Sequence, residues 1–203
     1  MDSHGYTPLM KNILVIVGHP DPSSFGAALA DAYVESLRSL GTDLSVEKLV
    51  LTELEFDPVL RHGYRGEQPL EPDLVRAKDA IERAHHVAWF FPMWWAAPPA
   101  IVKGFVDRTF LPGWAFAYGD GAFPEKLLAG RSARFVTTMD SPSLYYRFAV
   151  GCALHDSFVD ATLGFVGFSP VRETTFYGVR QMDEGKRAKA LARVAKEALR
   201  DAA

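Results

Sequence analysis

The sequence predicts an α/β fold in which five parallel strands form a sheet between two layers of helices. Three observations carry this prediction. Short apolar runs such as Ile13–Val17 and Val87–Phe91 are continuous rather than alternating, as strands covered on both faces are. Between them lie stretches with apolar residues at helical spacing, among them Phe25, Leu29, Ala32, Leu37 and Leu40. The two patterns alternate along the chain, and parallel strands need such crossovers.

Taken in order, Ile13–Val17 reads as a central strand that ends in a Gly-His-Pro turn. Ser23 or Ser24 can cap the helix that follows, and Gly41 can end it. Leu44–Leu49 is the second strand. From Leu51 to Pro72 the chain is rich in glycine, proline and charge and is too long for a simple connection, so a binding or packing role is expected of it. Leu74, Ala77, Ile81 and Ala84 mark the second helix, and Val87–Phe91 is the third strand. Pro98 and Pro99 can occupy the first turn of a third helix, where a missing N–H costs little, and Val102, Phe105, Val106 and Phe110 supply its buried stripe. After a glycine- and aromatic-rich loop, Pro112–Pro124, come a fourth strand at Phe135–Thr138 and a mostly helical stretch at Ser143–Leu163. A fifth strand, Val171–Tyr177, and an amphipathic helix, Glu184–Ala202, complete the pattern.

Right-handed crossovers leave few arrangements of five such strands, chiefly the flavodoxin-like order 2-1-3-4-5 and the Rossmann order. The expected architecture is the flavodoxin-like three-layer sandwich, with residues 12–203 as one domain and 1–11 as a flexible tail. Both orders place a ligand outside the C-terminal ends of the strands. In the flavodoxin-like order the switch point lies between strands 1 and 3, so the loops after those two matter most.

Composition narrows the function. Of 203 residues 48% are apolar and 23% charged, enough to bury a sizeable core. A net charge of -3 and a pI near 6.1 provide no cationic field for a nucleic-acid backbone or an anionic membrane surface. No apolar run approaches the ~18–20 residues that span a bilayer, and the first ten residues carry no apolar signal-peptide core. The one cysteine, Cys152, cannot form an internal disulfide, and the paired spacing of a structural zinc site is absent. A reducing cytoplasm fits this usage.

Three segments can carry chemistry. Gly18-His19-Pro20-Asp21-Pro22-Ser23-Ser24-Phe25-Gly26 joins strand 1 to helix 1, where free N–H groups and the helix dipole favour an anion such as phosphate. The loop has neither a Walker ending nor G-x-G-x-x-G spacing, which disfavours nucleoside triphosphate hydrolysis and a Rossmann dinucleotide site. Its bland reading is a helix cap with an incidental histidine. Phe91-Pro92-Met93-Trp94-Trp95-Ala96-Ala97-Pro98-Pro99 has two Trp and three Pro but no ionisable group. That is poor chemistry for acid–base work and good chemistry for a planar ring such as isoalloxazine; the alternative is that the Trp side chains are core or an interface patch. Thr137-Thr138-Met139-Asp140-Ser141-Pro142 follows strand 4 and would border the same crevice, or form an ordinary turn capped by Ser141 or Ser143.

At these residues the sequence resembles the flavodoxin-like NAD(P)H:quinone oxidoreductases, from Asn12 onward. The carrying segments are His19 to Phe25, the run Phe91-Pro92 to Trp95, Pro99-Ala100-Ile101-Val102-Lys103-Gly104-Phe105, Gly113-Trp114-Ala115-Phe116-Ala117-Tyr118, and Thr137-Thr138. The resemblance implies a flavin whose phosphate is held by the first segment and whose ring is lined by those after strands 3 and 4. It thereby implicates His19, Ser24, Phe25, Pro92, Met93, Trp94, Trp95, Thr137 and Thr138, with Tyr145 as the family tyrosine near the flavin. It further implies hydride transfer from NAD(P)H to flavin N5 and on to a quinone-like acceptor, and a homodimer in which the aromatic loop Trp114–Tyr118 walls the neighbour's site. FAD is favoured over FMN because the long loop after strand 2 resembles the FAD-binding enzymes. An electron-carrier flavodoxin, usually shorter and strongly acidic, and a regulatory flavin-binding subunit of a membrane transporter are the rivals; an azo- or nitro-reductase would run the same chemistry on another acceptor.

Two departures from the family stand out. Met139-Asp140 replaces Gly-Gly after the paired threonines, and Gly151 stands where a histidine follows the tyrosine by six residues, so Tyr145 lacks its relay partner. On a continuous helix His155 would share roughly the face of Gly151, one turn on. Ala96 replaces a bulky aromatic, which widens the pocket beside Trp95.

Overall fold

The computed structural model describes residues 11–203 apart from 42, 43, 120 and 122. Five parallel strands form the sheet: β1 (Lys11–Val17), β2 (Leu44–Val50), β3 (His86–Pro92), β6 (Ser132–Met139) and β7 (Val171–Tyr177). A two-stranded ribbon, β4 (Phe116–Ala117) with β5 (Glu125–Lys126), stands apart from it. The sheet order β2-β1-β3-β6-β7 is 2-1-3-4-5 when only sheet strands are counted, as predicted. The pleat sends Leu14, Ile16, Val87, Trp89 and Phe91 to one face. It sends Ile13, Val15, Val17, Ala88 and Phe90 to the other. Both sets are buried, which is why these runs do not alternate.

The helices α1 (Phe25–Arg38) and α6 (Glu184–Ala202) cover the second face, packed closely on each other. On the first lie α2 (Pro72–Arg83), α3 (Ala100–Thr109) and the segment that follows α4 (Ser143–Phe148). Ser24 caps α1 by accepting the Ala27 N–H at 3.2 Å, and Gly41, at φ 99°, turns the chain away three residues past the last helical one. Gly18 must lack a side chain, because a Cβ there would lie 2.1 Å from Val102 on α3.

Several expectations need correction. Lys11 belongs to β1 rather than to a tail, and its ammonium donates to the carbonyls of Asp201 and Ala202 at 3.0 Å each; residues 1–10 lie outside the described residues. The third helix begins at Ala100, with Pro99 as its N-cap, so neither proline sits inside it. Neither Ser141 nor Ser143 caps α4; Pro142 holds the N-cap position without a side-chain bond. The stretch Ser143–Leu163 is not one continuous helix. It breaks after α4 where Gly151 and Cys152 take positive φ (66° and 58°), restarts as α5 (Ala153–His155), and continues as a π-helix, Asp156–Gly164. There Thr162 Oγ1 donates to the Ser157 carbonyl five residues back.

Residues 51–72 do have a packing role. The Arg108 side chain of α3, fully buried, donates to the carbonyls of Asp57 and Pro69 and pairs with both carboxylate oxygens of Glu71. Gly104 lets Pro58 approach α3, since a Cβ there would lie 2.4 Å from the proline Cβ. Two 3-10 turns, Leu51–Glu53 and Gly63–Arg65, shape the remainder.

Candidate active site

The connections leaving β1 and β3 run to opposite faces of the sheet, through α1 and α3, so a crevice opens at the carboxyl ends of these strands. Beside the end of β1 is the start of α1, whose first N–H groups have no partner within the helix. Three side chains converge there: a Cβ built on Gly26 would find His19 at 3.9 Å, the Ser24 hydroxyl at 3.9 Å and the Thr138 hydroxyl at 4.0 Å. His19 Nδ1 accepts the Asp21 N–H at 3.0 Å, which leaves Nε2 as the donor of the neutral ring. Burial lowers the His19 pKa below its ordinary value against the pull of Asp21, so the ring is neutral at pH 7. Asp21 takes both the N–H and the hydroxyl of Ser23, which withdraws Ser23 from any ligand.

After β3 the chain makes a tight reversal. Trp94 and Ala97 exchange N–H···O bonds of 3.0 Å, and Trp95 and Ala96 between them take φ of 54° and 59°. This is the geometry that favours Asn-Gly, and a bulky residue there carries strain on the order of 1–2 kcal/mol. The turn holds the Trp95 indole wholly in solvent (100% exposed) and Trp94 half out. These two are therefore not core, unlike Trp89, which is fully buried. Trp94 meets His19 edge-on, and Met93 donates to the Thr138 carbonyl at 2.9 Å, which ties this loop to the loop after β1 and to β6.

A cleft of about 550 Å³ results, walled by Pro92–Ala96, Thr138–Ser141, Tyr145, Val150 and Val179. Its size suits one planar ring system. Pro92, Met93, Trp94, Trp95, Thr138 and Tyr145 are thus brought together, with His19, Ser24 and Phe25 beside them at the helix start. Thr137 is not: its side chain points to the opposite face, where its hydroxyl is buried without a partner. Val150, just past α4, and Val179, at the start of a 3-10 turn after β7, also line the cleft, and no local pattern marks either. Arg187 of α6 lies outside the cleft wall, with its guanidinium 4.8 Å above the Phe25 ring. Asp140 accepts the Arg180 N–H at 2.9 Å and joins the loops after β6 and β7.

Tyr145 is exposed in the cleft wall, and the histidine reading needs correction. Because the chain breaks at Gly151, His155 turns to the neighbouring Tyr146, with Nδ1 2.6 Å from its phenol oxygen. Of the aromatic loop, Trp114 packs on α2, donating to Glu82 beneath the Lys78 ammonium, and Phe116 is buried; Tyr118 alone among its aromatics is exposed. Among the described residues no helix is long and apolar enough to cross a membrane.

A doubly wound sheet with an anion-type helix start and an aromatic cleft at its switch point defines a flavodoxin-like protein. The chain belongs to that family: the family model described as flavodoxin-like fold matches residues 11–199. It is similar to NAD(P)H dehydrogenase [quinone] 1 of Cavia porcellus, 27% identical over 210 residues that span 90% of this chain and 74% of that one. The crystal structure of Smu.1420 from Streptococcus mutans superposes with a TM-score of 0.80 at 29% identity, covering 92% of this chain and 98% of that one. An FMN-dependent NADH-azoreductase from Bacillus anthracis, in complex with FMN, shares the fold with a TM-score of 0.77 at 17% identity, over 95% of this chain and 100% of the other.

Proposed function

We propose that the protein is a flavin-dependent NAD(P)H:quinone oxidoreductase, its described fold a single flavin-binding domain working in the cytoplasm. The observation that carries this reading is the convergence of His19, Ser24 and Thr138 on the start of α1, joined through Trp94 to an aromatic-walled cleft of about 550 Å³. The donors present suit a flavin: the helix N–H groups and His19 Nε2 for a phosphate, and the indoles and Pro92 for a flat ring. The name of the guinea-pig relative supports a nicotinamide donor and a quinone acceptor.

A bound flavin supplies hydride exchange, from NAD(P)H to a quinone-like acceptor. The residues of this chain bind and orient. His19, Ser24 and the first N–H groups of α1 hold the phosphate end, and Pro92, Met93, Trp94, Trp95 and Thr138 frame the ring. Tyr145 offers a single hydroxyl beside it. We favour FAD over FMN on the length of the 51–72 segment, although the azoreductase of the same fold holds FMN. A homodimer completes the reading, with the neighbour's exposed Tyr118 closing the cleft beyond Trp95; the full exposure of that indole supports a second wall.

The purified protein should be yellow, and mass spectrometry of the released cofactor should return FAD. A protein that stays colourless and takes up neither FAD nor FMN when both are supplied would refute the proposal.

A further inference from the structure

We propose that Tyr146 and His155 form a positioning pair that sets the α4 wall of the cleft, with Tyr145 and Val150, against the electron acceptor. The inference rests on the flavin-dependent reading above. α4 is six residues long, has no side-chain cap, and is left through two successive residues of positive φ, so little of its own geometry holds it in place. Tyr146 is its one buried side chain. The phenol oxygen accepts the His155 backbone N–H at 3.3 Å and stands 2.6 Å from Nδ1. With the phenol O–H donating to Nδ1, the imidazole is the Nε2–H tautomer, and that N–H faces Thr175 Oγ1 at 2.9 Å, with Glu173 at 3.6 Å.

The chain of support is therefore continuous. β7 holds His155 through Thr175, His155 holds Tyr146, and Tyr146 holds the helix that carries Tyr145 and leads to Val150. Tyr145 and Val150 line the cleft, whereas Tyr146 and His155 line a separate polar groove along β7, so the pair acts only through its neighbours.

The pair is also sensitive to acid. Facing His155 are Tyr146 and Arg147 of α4, Glu173 and Tyr177 of β7, Arg193 of α6, and Cys152, Asp156 and Asp160 of its own segment. Burial outweighs the carboxylates and lowers the His155 pKa below its ordinary value. Protonation would place a hydrogen on Nδ1 and remove the acceptor that the phenol O–H uses.

The test compares Tyr146→Phe, His155→Leu and His155→Asn, the last keeping a polar amide near the Nδ1 position without a titrating group. Three quantities are measured: amide hydrogen exchange of the flavin-free protein, the flavin Kd, and steady-state kinetics with a benzoquinone. In Tyr146→Phe and His155→Leu, exchange across residues 143–152 should quicken by about tenfold, the worth of one buried hydrogen bond, while β1 and β3 keep their protection. The quinone KM should rise by a similar factor while kcat and the flavin Kd stay within about twofold. His155→Asn should restore both, and should lack the fall in protection expected of the wild type as acidification below the ordinary histidine range protonates His155. If His155→Leu and Tyr146→Phe match the wild type in exchange and KM, or if His155→Asn behaves like His155→Leu, the pair does not position this wall. A wild-type protein that binds no flavin would sink the reading of function and the acceptor part of this one, which the variants' exchange data keep distinct from failure of the pair itself.

Discussion

His19 and Trp94 meet edge-on across the switch point, with ring centroids 5.9 Å apart and planes inclined by 71°. The contact joins an anion-type loop to an aromatic one, so a ligand with a phosphate at one end and a flat ring at the other would touch both. Ser24 sits at the proposed phosphate end and caps α1. Ser24→Ala should cost about 1 kcal/mol of stability through the lost cap, measured by urea denaturation. Ser24→Glu places a carboxylate where the phosphate is proposed, and should raise the flavin Kd by at least about tenfold. Unchanged affinity would move the phosphate to another loop.

Arg108 and Glu71 should control the order of residues 51–72. The guanidinium is wholly buried, and the carboxylate holds it bidentately at 2.9 and 3.2 Å. Arg108→Met removes this bond together with those to two loop carbonyls, and leaves Glu71 without its cation. The expected loss is about 3 kcal/mol, and trypsin should then cut at Arg61 or Arg65 well before the wild type is nicked. A variant as stable and as resistant as the wild type would show that the loop is held by packing alone.

His86 should make stability depend on pH. It is fully buried between the Tyr33 phenol and the Ser132 hydroxyl, and desolvation, only partly opposed by Asp201, lowers its pKa to about 4. In the unfolded chain it titrates near 6.5, so between pH 6.5 and 4 the unfolded state binds the extra proton. Stability therefore rises with pH across that window and is lost on acidification, by an amount on the order of 3 kcal/mol. Denaturation midpoints at pH 7, 5.5 and 4.5 should show this slope in the wild type and a shallower one in His86→Gln.

Tyr145→Phe should slow flavin reduction by no more than about tenfold, roughly 1.4 kcal/mol, because an exposed phenol without a coupled base offers one hydrogen bond. Stopped-flow reduction by NAD(P)H isolates this step. A loss on the order of a thousandfold would mean that the tyrosine belongs to a proton relay.

If donor and acceptor use the one cleft in turn, double-reciprocal plots at several quinone concentrations should be parallel. Intersecting lines would place the two substrates on the protein together, and the cleft between Trp95 and Tyr145 would then have to hold both.

Much of this protein is written in its sequence, because burial on both faces of a parallel sheet leaves a continuous apolar run and a crossover helix leaves a 3.6-residue period. β7 and α6 fall on their predicted limits, and the loops after β1 and β3 border the crevice as strand order requires. Other features depend on partners far away in the chain. Arg108 and Glu71 are 37 residues apart, and nothing local marks them as a pair. Helical spacing runs on past Gly151, so the break that turns His155 to Tyr146 is legible only once β7 supplies Thr175. Thr137 and Thr138 are identical neighbours, yet the pleat sends one hydroxyl into the core and the other to the start of α1. Local periodicity determined which segments are strands and helices; only the packed sheet, by setting which way each side chain points, decided which residues meet at the cleft.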